Sequence, residues 1–563
     1  MLNITRFKNT VNYLDIAMRK RLALPITSWQ LCLLAIIGGT ISSLLIALFI
    51  GAINSIQQWL LADIGHYTSL TELNRLFLPI IGALAILLTA WLTGYQYIRT
   101  GIPFVLHRLK VAYGVIPLRN TINQFFGGII ALASGFSVGK EGPAVHLGAA
   151  SSAYLGSRFN LPSNATRTLA ASGVAAGIAA CFNTPIAAVI FVMEVILREY
   201  KIHMFIPIML AAIVGSMVTS TIFGPAHGYE FFSPVALDFE HYPWLILLGL
   251  MLGTLAAIFN RFIVAAIENA KHFHVVARLL IAGLITGSVG FIIPYAMGTD
   301  LGAMHFTMSD DASTALLLGL LVAKCGLTIV AVGMGIPGGV IGPIFSIGAI
   351  AGAVAAGMMG IAFEDKMTSD FALMGMAGFM AATLNAPLAA LLAVVELSNQ
   401  LEIIAPSMLV ISTACLCAGQ LFNNRSVFIM QLNVQELSYR TPPLENTLHN
   451  IGVLGIMRTN LALLDARDTE QEMQEKAMKS EYLIMQSNGE FYWNEVVYEP
   501  GKERRFRQHK LIPISSCATL AEAYLQLNEQ RLGGVYIYDK SPDNIIGLLT
   551  FEQIRAYLTK GKI

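Results

Sequence analysis

Charge is what this 563-residue sequence has least of: Asp, Glu, Lys and Arg together make up 13% of it, about half the share of an ordinary soluble domain. With 55% hydrophobic residues and a mean hydropathy of +0.63, the chain reads as an integral membrane protein. The few charges balance, 36 Lys and Arg against 35 Asp and Glu, which excludes the broad basic field of a nucleic-acid binder. Any anion must therefore be attracted locally. Cysteine is scarce as well. The six, at 32, 181, 325, 415, 417 and 517, show no metal-ligand spacing and read as small buried hydrophobes rather than disulfides or a metal site. Also missing are the H-E-x-x-H, G-x-S-x-G and P-loop patterns, so neither an enzyme nor a bound cofactor is expected.

What the sequence does have is a long succession of apolar runs, from about residue 30 to 422. Lys8, Arg19, Lys20 and Arg21 precede the first run near Trp29, so residues 1–28 are expected to be a cytoplasmic amino-terminal segment rather than a cleaved signal. Runs near 30–53, 78–95, 203–223, 243–266, 277–297 and 314–333 are long enough to cross a bilayer. Those at 124–138, 144–157, 169–182, 185–197, 340–360, 371–384 and 386–397 are short or broken by Gly and Pro. Interrupted helices at membrane depth are tolerated where they surround a polar site.

The interruptions repeat. GKEGPAVHLGA at 139–149 matches GVIGPIFSIGA at 339–349, and GVAAGIAACFNTPIAAVIFVME at 173–194 matches GMAGFMAATLNAPLAALLAVVE at 375–396. The offsets are 200 and 202 residues, and the shared features are Gly-Pro, Asn-x-Pro and a Glu eleven residues after the Asn. The membrane region therefore reads as a duplication, with one half at 29–230 and the other at 231–435. Residues 436–563 turn charged, and GGVYIYDKSPDNIIGLLTFEQIRAYL reads as strand, turn, strand, helix. This predicts a soluble α/β domain.

In each half a Gly-Pro precedes a helical run. Proline suits the first turn of a helix, glycine lets another group approach, and the free N–H groups there attract anions. Helix amino ends near the midplane would hold an anion without a buried cation. Glu141 sits at such a start, where its carboxylate can accept those amides, move into water or take up a proton. The plainer alternatives are a carboxylate that caps its own helix, or a Lys140–Glu141 pair. The matching position in the other half is Ile341, so a helix start here does not require an acid. Thr100, in Arg99-Thr100-Gly101-Ile102-Pro103, could donate to a dehydrated halide or cap its own turn. His146 reads as a packing residue before a proton carrier.

Arg99-Thr100-Gly101-Ile102-Pro103, Gly139-Lys140-Glu141-Gly142-Pro143 and Gly339-Val340-Ile341-Gly342-Pro343 resemble the three signature stretches of the CLC family of chloride channels and proton-coupled chloride exchangers, which read roughly GSGIP, G(K/R)EGP and GxFxP. The similarity covers about residues 30–435. It implies an all-α polytopic membrane protein of two inverted repeats, forming a homodimer in lipid, with chloride and protons as its partners. Glu141 matches the family's gating glutamate. Thr100, Gly101, Ile102, Gly142, Val340 and Ile341 match positions that surround the anion, and Phe428 falls where the family places a tyrosine hydroxyl. The pair Glu194-Val195 stands where exchangers resemble two successive acids, so Val195 marks a lost inner proton relay. On that ground the expectation is passive, channel-like chloride conductance gated by Glu141, in a cell inner membrane with both termini cytoplasmic. The alternative is a chloride/proton antiporter with a non-standard inner proton pathway. The tail resembles a CBS-pair domain, but Gly547-Leu-Leu-Thr550-Phe-Glu-Gln553 carries Gln where such modules place a ribose-binding acid. Nucleotide is therefore not expected there.

Overall fold

The computed structural model describes residues 18–95, 99, 101–224, 239–299, 301–308, 313–360, 365–437, 448–464, 476, 480, 482–487, 489–497, 505–528 and 533–560. These fall into two compact units. The larger lies within Cys32–Leu155 and Thr168–Tyr439; the smaller lies within Met1–Leu31, Gly156–Arg167 and Arg440–Ile563.

The helical part runs α1 Trp29–Leu60, α2 Glu72–Thr93, α3 Gly101–Val111, α4 Leu118–Ala133, α5 Glu141–Arg158, α6 Ser163–Phe182 and α7 Pro185–Phe191, which continues through a widened turn to Leu197. It goes on with α8 Ile202–Phe223, α9 Tyr242–Ala270, α10 Val275–Ile292, α11 Leu301–Thr307, α12 Thr314–Met334, α13 Ile341–Met358, α14 Asp365–Leu384, α15 Pro387–Ser398, α16 Ile404–Leu416 and α17 Val427–Val434. Among the described residues nine helices are long and apolar enough to cross a membrane. Burial sorts them. The apolar stretches of α6 and α13 are 89% buried, whereas those of α8 and α10 are 33% buried. The former make an interior; the latter turn apolar faces outward, as lipid-facing helices do.

The duplicated sequence folds into duplicated structure. Asn183 and Asn385 each take a left-handed conformation, φ 55° and 54°, and Pro185 and Pro387 then open α7 and α15. Asparagine tolerates that backbone state, and proline is preset for a first helical turn. The central crossings repeat as well. α5 meets α6 at Gly148 and Gly173, and α13 meets α14 at Gly348 and Gly375; a Cβ on any of the four would run into the facing backbone. The helix axes can approach this closely only with glycine at the crossing.

In the smaller unit six strands form one sheet in chain order: β1 Leu461–Leu464, β2 Tyr482–Ser487, β3 Glu490–Val497, β4 Arg505–Ser515, β5 Gly534–Tyr538 and β6 Ile545–Thr550. β1–β2 and β4–β5 are parallel and the remaining pairs antiparallel. Helices α18 Leu520–Asn528 and α19 Phe551–Lys560 complete it. At the start of α18 Glu522 accepts from the Thr519 N–H at 2.7 Å, and at the start of α19 Thr550 and Gln553 form a reciprocal capping pair. Gln553 also donates to the Tyr482 hydroxyl at 2.9 Å, so its amide is engaged in structure at the position where a ribose-binding acid would stand. The Arg19 guanidinium, 4% exposed, belongs to this unit and reaches Asp539 at 3.0 Å and Ser516 at 2.9 Å. Burial works against its charge, but the bonds to Asp539 and Cys517 more than offset that and raise its pKa.

Candidate functional site

The site is built where the two Gly-rich stretches meet. Gly139 donates to the Gly339 carbonyl at 2.8 Å and Gly339 donates back to Gly139 at 2.7 Å, an isolated antiparallel bridge between equivalent residues of the two halves. Such a reciprocal contact defines a local two-fold relation. It also sets α5 and α13 with their amino ends side by side, each presenting orphan N–H groups. Gly142 permits this approach: a Cβ there would lie 2.7 Å from the Gly338 carbonyl and the Gly339 nitrogen.

Glu141, the first residue of α5, is fully buried. Its carboxylate accepts the backbone N–H of Ile341, the first residue of α13. The acid therefore serves the helix of the other half, which neither plainer alternative describes. Lys140 places its ammonium 5.0 Å from the centre of the Phe182 ring, a cation–π contact. Val340, buried, precedes α13, and its carbonyl accepts from Ile344 at 3.0 Å. The Glu141 side chain thus sits at the amino end of α13, where orphan N–H groups favour negative charge.

The third stretch joins the same centre. Gly101 opens α3 with φ 77°, and the direction of a Cβ there points to the Gly338 carbonyl, 3.6 Å away. Ile102 is buried beside it and Phe428, the second residue of α17, is buried in the same apolar cluster. Thr100 lies outside the described residues. Gly101, Ile102, Gly142, Val340, Ile341 and Glu141 are thereby brought together, with Phe428 against the α3 side. Val195 sits 6% exposed in the apolar core after α7. His146 is fully buried and stacks on Phe104, ring centres 5.8 Å apart.

One pair of acids follows the two-fold. Glu194 accepts from Leu388 at 3.3 Å and Ala389 at 2.7 Å, at the start of α15. Glu396 accepts from Ile186 at 3.0 Å and Ala187 at 2.7 Å, at the start of α7. Each carboxylate caps the partner half's helix, the shared structural role that their matching sequence positions suggest. A small cavity of about 30 Å³, enough for one or two water-sized occupants, is lined by Glu141, Ile341, Phe182, Thr184, Ala187 and Ala389 among others. Its lining thus joins Glu141 to Ala187 and Ala389, whose amides Glu396 and Glu194 hold.

One site residue escapes the motif reading. Gln124 on α4 is fully buried, and its side-chain oxygen accepts the Gly101 N–H at 2.6 Å. Asn120, also buried, donates to the Arg99 carbonyl at 3.0 Å. Asn120, Asn123 and Gln124 form an i, i+3, i+4 stripe of amides, a signal present in the sequence: three carboxamide side chains on one face of the helix.

Comparison with known proteins agrees with this geometry. The family described as voltage gated chloride channel matches residues 81–419, more than half of the chain. An H(+)/Cl(-) exchange transporter, ClcA, of Vibrio campbellii is 29% identical over 435 residues, covering 72% of this chain and 90% of its own. ClcA of Vibrio cholerae serotype O1 is 26% identical over 441 residues, again 72% and 90%. Among solved structures, a slow cyanobacterial Cl-/H+ antiporter superposes with a TM-score of 0.65 at 21% identity, over 73% of this chain and 99% of its own. A eukaryotic CLC transporter gives 0.61 at 17%, over 93% and 97%. The multi-pass helical fold, the paired Gly-rich helix starts and the family match lead to one conclusion: this chain belongs to the voltage-gated chloride channel family, the CLC proteins.

Proposed function

We propose that this protein moves chloride across a membrane in exchange for protons, with Glu141 as the gate that both ions use. The observation that carries the reading is the buried Glu141 carboxylate on the Ile341 amide. An ionised carboxylate there excludes an anion from the helix end. Once protonated it no longer competes on equal terms, and chloride takes the amide in its place. Gly142, Val340 and Ile341 make the outer half of the anion path; Gly101 and Ile102 make the inner half, together with Thr100. Phe428 brings bulk without a hydroxyl.

Exchange is favoured over passive conductance because the relatives that cover most of their length with this chain are named H(+)/Cl(-) exchange transporters. Val195 cannot carry a proton, and the cavity between Glu141 and the Glu194/Glu396 seam supports a different inner route, in which water accepts the proton and the two acids receive it. The reading includes a homodimer in an inner membrane with cytoplasmic termini. The experiment is reconstitution in liposomes with an imposed proton gradient and equal chloride on both sides. Chloride driven against its own gradient supports exchange; chloride that stays level while tracer chloride equilibrates assigns a channel.

A further inference from the structure

Two helix amino ends at the centre of this fold are covered by side-chain oxygens, and the two covers differ chemically. At α13 the cover is the Glu141 carboxylate, which has only acceptors to offer. At α3 it is the Gln124 carboxamide, which accepts through Oε1 and carries two further N–H donors on Nε2. The orientation is fixed by chemistry: Gly101 offers an N–H at 2.6 Å, so the atom facing it must be the oxygen. The Nε2 group is bonded to the same carbon and stands beside the amino end of α3. It is buried and has no hydrogen-bond partner among the described residues. Buried donors are satisfied in folded proteins, and one left open at a helix amino end asks for an acceptor from outside the chain.

We propose that Gln124 is a direct ligand of the transported anion at the α3 amino end, donating through Nε2 while its oxygen holds the Gly101 turn. The ligand is a small monovalent halide-type anion, stripped of part of its water. A neutral carboxamide is well suited to such a ligand, because it supplies a directed donor without the deep electrostatic well of a buried ammonium, so the ion can leave as well as enter. The neighbourhood fits, since Gly101 faces the Gly338 carbonyl and Gly142 packs on the same peptide. Gln124 therefore lies where the three helix starts converge. This inference rests on the anion-transport reading and adds a specificity-determining residue to it.

The test is chloride binding to the full-length purified protein by isothermal titration calorimetry, alongside chloride efflux from liposomes, for the native chain, Gln124→Leu and Gln124→Glu. Gln124→Glu keeps an oxygen for the Gly101 N–H and so preserves a purely structural cap, while removing the donors. The expected result is a loss of chloride affinity of about tenfold for Gln124→Leu, the scale of one hydrogen bond to a charged group, and a larger loss for Gln124→Glu. Native affinity in Gln124→Glu would overturn the assignment and leave Gln124 a cap. Absence of chloride binding and efflux in the native protein would instead overturn the transport reading beneath it.

Discussion

The two halves of the membrane region handle their acids in two ways. Near the ends of the second duplicated block both halves keep one, Glu194 and Glu396, and each caps the helix of the other half with near-identical geometry, 2.7 Å to Ala389 and 2.7 Å to Ala187. At the Gly-Pro block only one half has an acid, Glu141 against Ile341, although the backbones on either side are bridged as equivalents. Symmetric acids satisfy a need that both halves share, the orphan amides of a helix start. Glu141 also takes an orphan amide, that of Ile341 at the start of α13, but the matching position, Ile341, offers α5 no carboxylate in return. This departure from symmetry supports our proposal of Glu141 as the gate.

The largest effect expected from breaking this asymmetry is that of Glu141→Gln. Removing the titratable group abolishes proton movement while chloride efflux continues, read by a pH electrode and a chloride electrode on one liposome suspension. Restoring symmetry from the other side comes next. Ile341→Glu puts two carboxylates at one buried centre, where like charges oppose each other and both exclude an anion; chloride efflux should fall by at least about tenfold, measured as an initial rate. The smallest effect belongs to the symmetric pair. Glu194→Gln and Glu396→Gln each weaken a helix cap by about 1 kcal/mol, so their melting temperatures should drop alike. Any loss of proton coupling should also appear in both, because each acid holds the amide of a residue that lines the same cavity, Ala389 or Ala187.

Much of this was legible in the sequence because the duplication writes each element twice. Matching Gly148 to Gly348 and Gly173 to Gly375 is enough to locate both central crossings, and Asn-x-Pro locates the starts of α7 and α15. Helix starts were less legible. The run expected from 169 begins at Ser163, and that expected from 371 begins at Asp365, because first turns are polar and an apolar count passes over them. For the same reason α4 begins at Leu118 rather than 124, and Asn120, which serves the Arg99 carbonyl, lies in that missed stretch. Lys140 shows a different limit. Sequence proximity suggested Glu141 as its partner, but the fold brings in Phe182 from the end of α6, a contact that no local pattern encodes.

In our proposal the Glu141 carboxylate occupies an anion's place at the amino end of α13. Bromide is a chloride substitute that can be located by its anomalous scattering, and crystals of the native protein and of Glu141→Gln grown in bromide test the claim directly. The account predicts bromide within hydrogen-bond reach of the Ile341 amide in Glu141→Gln and none at that position in the native protein at neutral pH. An empty Ile341 amide in Glu141→Gln, with bromide bound elsewhere along the pathway, would contradict it.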